Sequence, residues 1–299
     1  MSKSVTSVLL ARLVDAGTVA LHDRIGDFVA DVPASDATMA QLASHMGGVR
    51  HYTYSNGVAL FREQFSRRHY ETAEASLGIF VDDPLEFEPG TAFGYSTHGY
   101  TLLAAVLERA TGSDYLSLLS QSVTGPLDLM STGPDNVTDS QANRAEPYRE
   151  MAGRFFSPLD ADPSYKWAGG GLLSTPSDLV MIAASLMGGT FVSTETRDEL
   201  WNVRALPNGD PNPQRYGLGW RIDDVPGGDS GTTVRVVHHG GTSPGGSAFL
   251  VLVPSSQVAV AFLTNRSVSN TSYLRDGARS LALRFASAER EGDAAPGRQ

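Results

Sequence analysis

MSKSVTSVLLARLVDAG, residues Met1–Gly17, decides how the rest of the chain is read. Val5, Val8, Leu9, Leu13 and Ala16 recur at the three- and four-residue steps that line one helical face, and Gly17 stands where a left-handed cap closes a helix. A helix is expected over roughly Ser4–Ala16. Further on, Leu103, Val106, Leu107 and Ala110 predict a second helix over Tyr100–Ala110, stopped by Gly112. A third has Thr175 as N-cap, Pro176 at the first helical position and Asp178 at the third, and it ends near Met187-Gly188-Gly189. The last third of the chain changes period. Tyr216–Ile222, Thr233–His239, Ser247–Val253 and Val258–Asn265 are β-rich runs parted by Gly, Pro, Asp and Ser clusters, and such short turns favour antiparallel neighbours. Leu206–Gln214 and Asp223–Gly231 read as surface loops and Ser272–Ala288 as a closing helix. Helices first and an antiparallel sheet last make an α+β layout. One domain is expected over 1–288, with a helical lobe over about 1–190. The sheet-rich part, about 191–288, should share a core with helix 4–16, leaving 289–299 as a polar tail.

Composition narrows the function classes. At 299 residues, 41% hydrophobic and 19% charged, the chain has the make-up of a soluble globular protein with a sizeable core. A net charge of −10 argues against a nucleic-acid or anionic-membrane partner, since both need clustered Lys and Arg. The absence of Cys excludes disulfides and thiolate chemistry. No apolar run approaches the roughly 20 residues of a spanning helix. No signal peptide is read at the front, so the chain as given is expected in the cytoplasm, or exported if a longer N-terminus exists. The seven His never fall in a ligand spacing, so no metal and no cofactor is expected. The expected partner is a small-molecule or peptide substrate.

Three constellations carry chemistry. Ser2, Lys3 and the helix behind them fit the last positions of a Ser-x-x-Lys motif, in which the Ser is acylated and the Lys assists proton transfer. The nucleophile would stand immediately before Met1. A Lys in the first turn of a helix is ordinarily a solvated residue, so the context must do the persuading. Pro89–Gly112, PGTAFGYSTHGYTLLAAVLERATG, sets Tyr95-Ser96-Thr97 on a loop just ahead of a helix, where a phenol can trade protons with a nucleophile. Tyr54-Ser55-Asn56 is a second Tyr-Ser triplet, but it lies too near Lys3 and has neither the Pro-Gly lead-in nor the helix behind it, so Tyr95 is preferred. Val234–Pro254, VRVVHHGGTSPGGSAFLVLVP, puts His238-His239-Gly240-Gly241 on a strand edge whose N–H groups can bind an oxyanion. Other matches fail. Gly228-Asp229-Ser230-Gly231 copies a tetrapeptide of all-β proteases in a chain that is largely helical, Trp167-Ala168-Gly169-Gly170-Gly171 lacks the phosphate-cradle pattern, and no Gly-x-Ser-x-Gly elbow occurs.

In this order and at these distances, the elements resemble the serine β-lactamase-like superfamily of class C β-lactamases, DD-peptidases (penicillin-binding proteins) and related esterases. Within it the chain looks most like the mitochondrial serine β-lactamase-like proteins and their bacterial relatives. SKSVTSVLLARLVDAG, LASHMGGVRHY, DDPLEFEPGTAFGYSTHGYTLLAAVLERATG, SYKWAGGGLLSTPSDL and HHGGTSPGGSAFLVLVP carry the likeness, from Ser2 to about Asn265. The resemblance implies a β-lactamase/transpeptidase-like fold, an antiparallel sheet flanked by helices plus a mostly helical lobe. It implies Lys3 as the motif lysine, Tyr95 as the second acid/base group and His238 in the place of the Lys of a Lys-Thr-Gly element. Gly241, beside Gly240, would offer half of an oxyanion hole. Thr97 replaces the usual Asn, which weakens any expectation of lactam or peptidoglycan recognition, and Gly47 replaces a common Ser.

Family members carry a helix and two strands ahead of the Ser-x-x-Lys helix, so the first helix and two N-terminal strands are expected to be missing. Val258–Leu263 would then lie along a bare edge. The expectation is a serine hydrolase acting on a peptide, ester or lactam carbonyl, truncated just after its nucleophile by an internal Met taken as a start. The alternative is a catalytically inactive ligand-binding or scaffold homologue that starts at Met1. A third idea, Ser2 as an N-terminal nucleophile, suits a different fold.

Overall fold

The computed structural model describes residues 1–52, 63, 65–136, 143–158, 160–227, 233–267 and 272–294. The first part of the chain is mostly helical, with α1 (Ser2–Asp15), α2 (Met39–Ala43), α3 (Thr97–Thr111) and α4 (Tyr115–Leu119). Four short strands follow, β1 (Gly133–Pro134), β2 (Tyr148–Met151), β3 (Arg154–Phe156) and β4 (Leu172–Leu173), with the single-turn helix α5 (Trp167–Gly170) before the last of them. Helices α6 (Pro176–Met187) and α7 (Thr194–Leu200) lead into the main sheet, β5 (Arg221–Pro226), β6 (Thr233–Ser243), β7 (Gly246–Val253) and β8 (Val258–Thr264). The two-residue β9 (Arg266–Ser267) and the long α8 (Ser272–Ala294) close the chain. The main sheet is a meander in the order β5-β6-β7-β8, antiparallel throughout, so the α+β layout holds.

Local chemistry sets the helix ends. Ser96 Oγ accepts from the Gly99 N–H at 2.8 Å, and Gly112 closes α3 in the left-handed region. That cap lets α3 begin a turn before the expected Tyr100. Thr175 Oγ1 accepts from the Asp178 N–H at 3.2 Å ahead of Pro176, as the spacing requires.

The sheet has a core on each face. Val237, Leu250 and Leu252 point toward α1, α3 and α6 and join Leu9, Leu103 and Ile182. Val236, Val251 and Val260 point the other way, under Leu274, Ala278, Ala282 and Ala286 of α8. Those alanines recur every four residues and form a strip of small side chains that lets α8 lie close on the sheet. Strand β8 pairs with β7 and is the outer strand of this sheet among the described residues. Its run alternates as expected for two covered faces, with Ala259, Ala261 and Leu263 on one core and Val258, Val260 and Phe262 on the other, but all except Val260 stay half-buried.

Three boundaries differ from expectation. The first β run shifts: Tyr216–Trp220 is buried but not strand, the Leu218 and Gly219 N–H groups going to the Leu200 and Ala43 carbonyls, and the strand is Arg221–Pro226. The loop expected from Asp223 is therefore strand at its start. Pairing with β7 carries β6 past His239 to Ser243. Helix α8 runs to Ala294, into the segment expected as a tail. The Tyr54 triplet and Gly228–Gly231 lie outside the described residues.

Candidate active site

Helix α1 is buried on every side from Ser2 through Ala11, which an amphipathic reading of its sequence did not anticipate. Its hydroxyls make this possible by finding acceptors inside the protein. Ser4 Oγ donates to the Gly219 carbonyl at 2.8 Å, Thr6 Oγ1 to the Ala168 carbonyl at 2.8 Å, and Thr6 also pairs with the Tyr115 hydroxyl at 2.7 Å. Lys3, on the same helix, is 3% exposed rather than solvated. Its Nζ donates to Thr97 Oγ1 at 3.1 Å and to the Gly169 carbonyl at 2.6 Å. The second contact depends on Gly169 having no side chain, since a Cβ there would stand 2.7 Å from Thr97 Cγ2 and 2.9 Å from the Thr97 carbonyl. Burial holds the Lys3 ammonium well below its ordinary range, and the charges of Lys166 and Arg221 press it further.

Tyr95 faces Lys3. The ammonium lies 4.7 Å from the centre of the Tyr95 ring, and both side chains line one wide cavity between the helical lobe and β6. Burial pushes the Tyr95 phenol up to about 12, with Arg221 pulling the other way, so the phenol keeps its proton at neutral pH. Beneath it sits His45, buried and with φ +63. The His45 ring packs 4.2 Å from the Tyr95 ring, and its Nδ1 accepts the Ser96 N–H at 3.2 Å. Accepting at Nδ1 leaves the proton on Nε2 in a neutral imidazole, and burial followed by Lys3 holds its pKa far down. Sequence analysis passed over His45, although its place in the LASHMGG segment was quoted.

Strand alternation sends the two neighbouring imidazoles to opposite faces of the sheet. His238 lies on the α8 face of β6: its Nε2 meets Asp223 Oδ2 at 3.0 Å, its ring stacks on Phe249 at 5.4 Å, and Arg279 of α8 holds the same carboxylate at 2.7 Å. It borders the cavity but its ring is turned from Lys3. His239, one residue on, points the other way, toward Lys3 and the Met1 amino group, and its Nε2 pairs with the Tyr216 hydroxyl at 2.9 Å. A period of two sends successive side chains to opposite faces, so a one-residue error in the motif moves the imidazole through the sheet. Gly240 shares the His238 face, where a Cβ would stand 3.2 Å from Phe249. Gly241 shares the His239 face, and a Cβ on it would come 2.9 Å from the Met1 nitrogen. Of the expected set, Lys3, Tyr95, Thr97 and Gly241 converge. Ser2 does not join them, as its Oγ accepts the Leu172 N–H at 3.1 Å.

A buried Lys, a protonated phenol and a glycine strand edge thus lie around one cavity, and comparison with known proteins gives the family. Human mitochondrial serine beta-lactamase-like protein LACTB is 30% identical over 254 residues, covering 63% of this chain and 46% of that protein. Penicillin-binding protein 4* of Bacillus subtilis is 22% identical over 282 residues, 89% of this chain and 59% of that protein. The chain thus spans about half the length of these relatives. Among solved structures, a D-stereospecific amidohydrolase from Streptomyces sp. superposes with a TM-score of 0.76 at 20% identity, over 93% of this chain and 84% of that one. A penicillin binding protein from Bacillus halodurans gives 0.77 at 21% identity, over 97% and 83%. At such identities the structural likeness speaks for the β-lactamase/transpeptidase-like fold alone. The family model described as Beta-lactamase matches residues 1–284, and the chain belongs to that family of serine hydrolases.

Proposed function

We propose that this cavity is the acylation site of a Ser-x-x-Lys hydrolase whose nucleophilic Ser stands directly before Met1. The observation that carries the reading is Lys3: a buried amine, fixed by Thr97 and Gly169, deprotonated more readily than any exposed lysine and directed at Tyr95. A residue ahead of Met1 would emerge beside Gly241, whose N–H is a candidate oxyanion donor. Neutral Lys3 would take the proton from the Ser hydroxyl as its oxygen adds to the substrate carbonyl. Tyr95, still protonated, would give its proton to the leaving nitrogen or oxygen as the carbonyl–leaving-group bond breaks. Water then attacks the acyl-enzyme by the reverse proton route, releasing the acid.

A chain carrying Ser directly ahead of Met1, behind its own initiator, tests this against the chain that begins at Met1. Exposed to a fluorophosphonate or a penicillin, the extended chain should gain one adduct on that Ser, and Lys3→Met should suppress it at least about a hundredfold. A folded extended chain that stays unlabelled would favour the reading of a binding or scaffold homologue.

A further inference from the structure

Of the 23 basic residues, two are lysines, Lys3 and Lys166, and the remainder are Arg. Both lysines are buried, at 3% and 7% exposure, and both line the same cavity. Lys166 directly precedes α5, the turn whose Gly169 carbonyl holds Lys3. Its Nζ lies 5.0 Å from the centre of the Tyr52 ring and 5.4 Å from that of Tyr165, and it makes no hydrogen bond among the described residues. The acid that acts on it is Asp135, which already pairs with Arg144 at 2.8 Å. Lys166 is therefore a second buried ammonium without a committed acceptor.

The charge around it is lopsided. In a chain of net charge −10, the cavity wall carries, among the described residues, Lys3, Lys166, Arg144, Arg221 and Arg275 against one carboxylate, Asp135. A concave wall of one sign concentrates ligands of the other. A buried cation lacking an acceptor weakens the fold, and Met or Gln would fill the space at less cost. Burial does bring Lys166 down to about 8, but it remains mostly charged at neutral pH. With Arg144 and Asp135 cancelling, the local excess is one positive charge on a compact ammonium beside the Tyr52 ring. That suits a carboxylate better than a phosphate dianion, which calls for forked donors.

We propose that Lys166 anchors a carboxylate of the substrate, so that this site selects acyl compounds bearing a free acid away from the scissile carbonyl. The inference takes this cavity as the substrate cavity, as the proposed function does, but it concerns binding and needs no acylation step.

The test uses the chain as it stands and two probes, succinyl-Ala-Ala amide and acetyl-Ala-Ala amide, which differ by one carboxylate. Calorimetry at neutral pH and low salt should find the succinyl peptide bound about tenfold tighter, with the gap narrowing as salt rises. Lys166→Met should reduce the ratio to within about twofold while leaving the acetyl peptide unchanged, and Lys166→Arg should keep most of it. In the wild type, 15N-lysine labelling gives one amide signal for each of the two lysines. The Lys166 signal should move with the succinyl peptide and not with the acetyl one, a reading that survives if a variant fails to fold. A wild type without preference, a preference that persists in Lys166→Met, or one that is lost instead in Arg144→Gln would overturn the proposal. A failed labelling of the Ser-extended chain would leave this result standing, and the reverse holds too.

Discussion

At the scale of single residues, the site is built from buried polar groups, among them Lys3 and His45, each tied by hydrogen bonds. His45 shows the cost. Its φ of +63 is a region that non-glycine residues enter at a penalty of roughly 1 kcal/mol, and its ring fills the space among Tyr95, Tyr100 and Tyr216. His45→Ala keeps the strained backbone, empties the cage and strands the Ser96 N–H, and should cost about 3 kcal/mol. Asn tolerates the left-handed region and carries an amide oxygen near the same donor, so His45→Asn should be milder by about 1 kcal/mol. Urea unfolding of the two variants at equal m-value checks the order, and equal losses would show that neither the backbone nor the Ser96 bond matters. Lys3 and Tyr95 were legible because motif spacing and a Pro-Gly frame mark them. His45, His239 and Gly169 were not, because their roles depend on which side of an element they face and what approaches them there. Lys166 had left one signal unread: with two lysines in the whole chain, each merits a reason.

Among elements, a cross-link ties α8 to the sheet through Asp223, which accepts from Arg279 and meets His238 on β6. Its carboxylate is lowered from 3.8 to about 2, chiefly by the His238 hydrogen bond, with both neighbouring charges adding to it. A carboxyl with a folded pKa below its unfolded one contributes stability that is complete above about pH 4 and lost as pH falls toward about 2. Allowing for its partial exposure, the contribution is about 1.5 kcal/mol. Denaturation followed from pH 5 to pH 2 should show a steeper loss in the wild type than in Asp223→Asn, and parallel curves would remove Asp223 from the account. His238 is lowered by burial against the pull of Asp223. The sign there is the same: the unfolded chain binds the proton more readily, so stability also drops as pH falls below 6.5. The Asp223 strand was misread as a loop because it opens a polar stretch, and the partners that hold Asp223 come from β6 and α8.

For the molecule as a whole, the edge of β8 left unpaired among the described residues is the feature with consequences. A seven-residue strand, Val, Ala, Phe and Leu up to its closing Thr264, that pairs on one side among the described residues is a template for a second copy. Sedimentation of the chain should reveal association that grows with concentration, and Ala261→Lys should shift it toward monomer. Monomer at all concentrations, or association indifferent to the Lys, would remove β8 as the contact. The α+β order, the four expected helices and the antiparallel pairing of the last strands followed from the sequence by itself, since hydrophobic period, caps and short turns are local properties written within a dozen residues. The tertiary structure alone decided which imidazole faces Lys3, how a serine- and lysine-bearing helix comes to be buried on all sides, and where the second lysine goes. Each depends on partners brought in from other elements, and no local pattern encodes the acceptor another loop will supply.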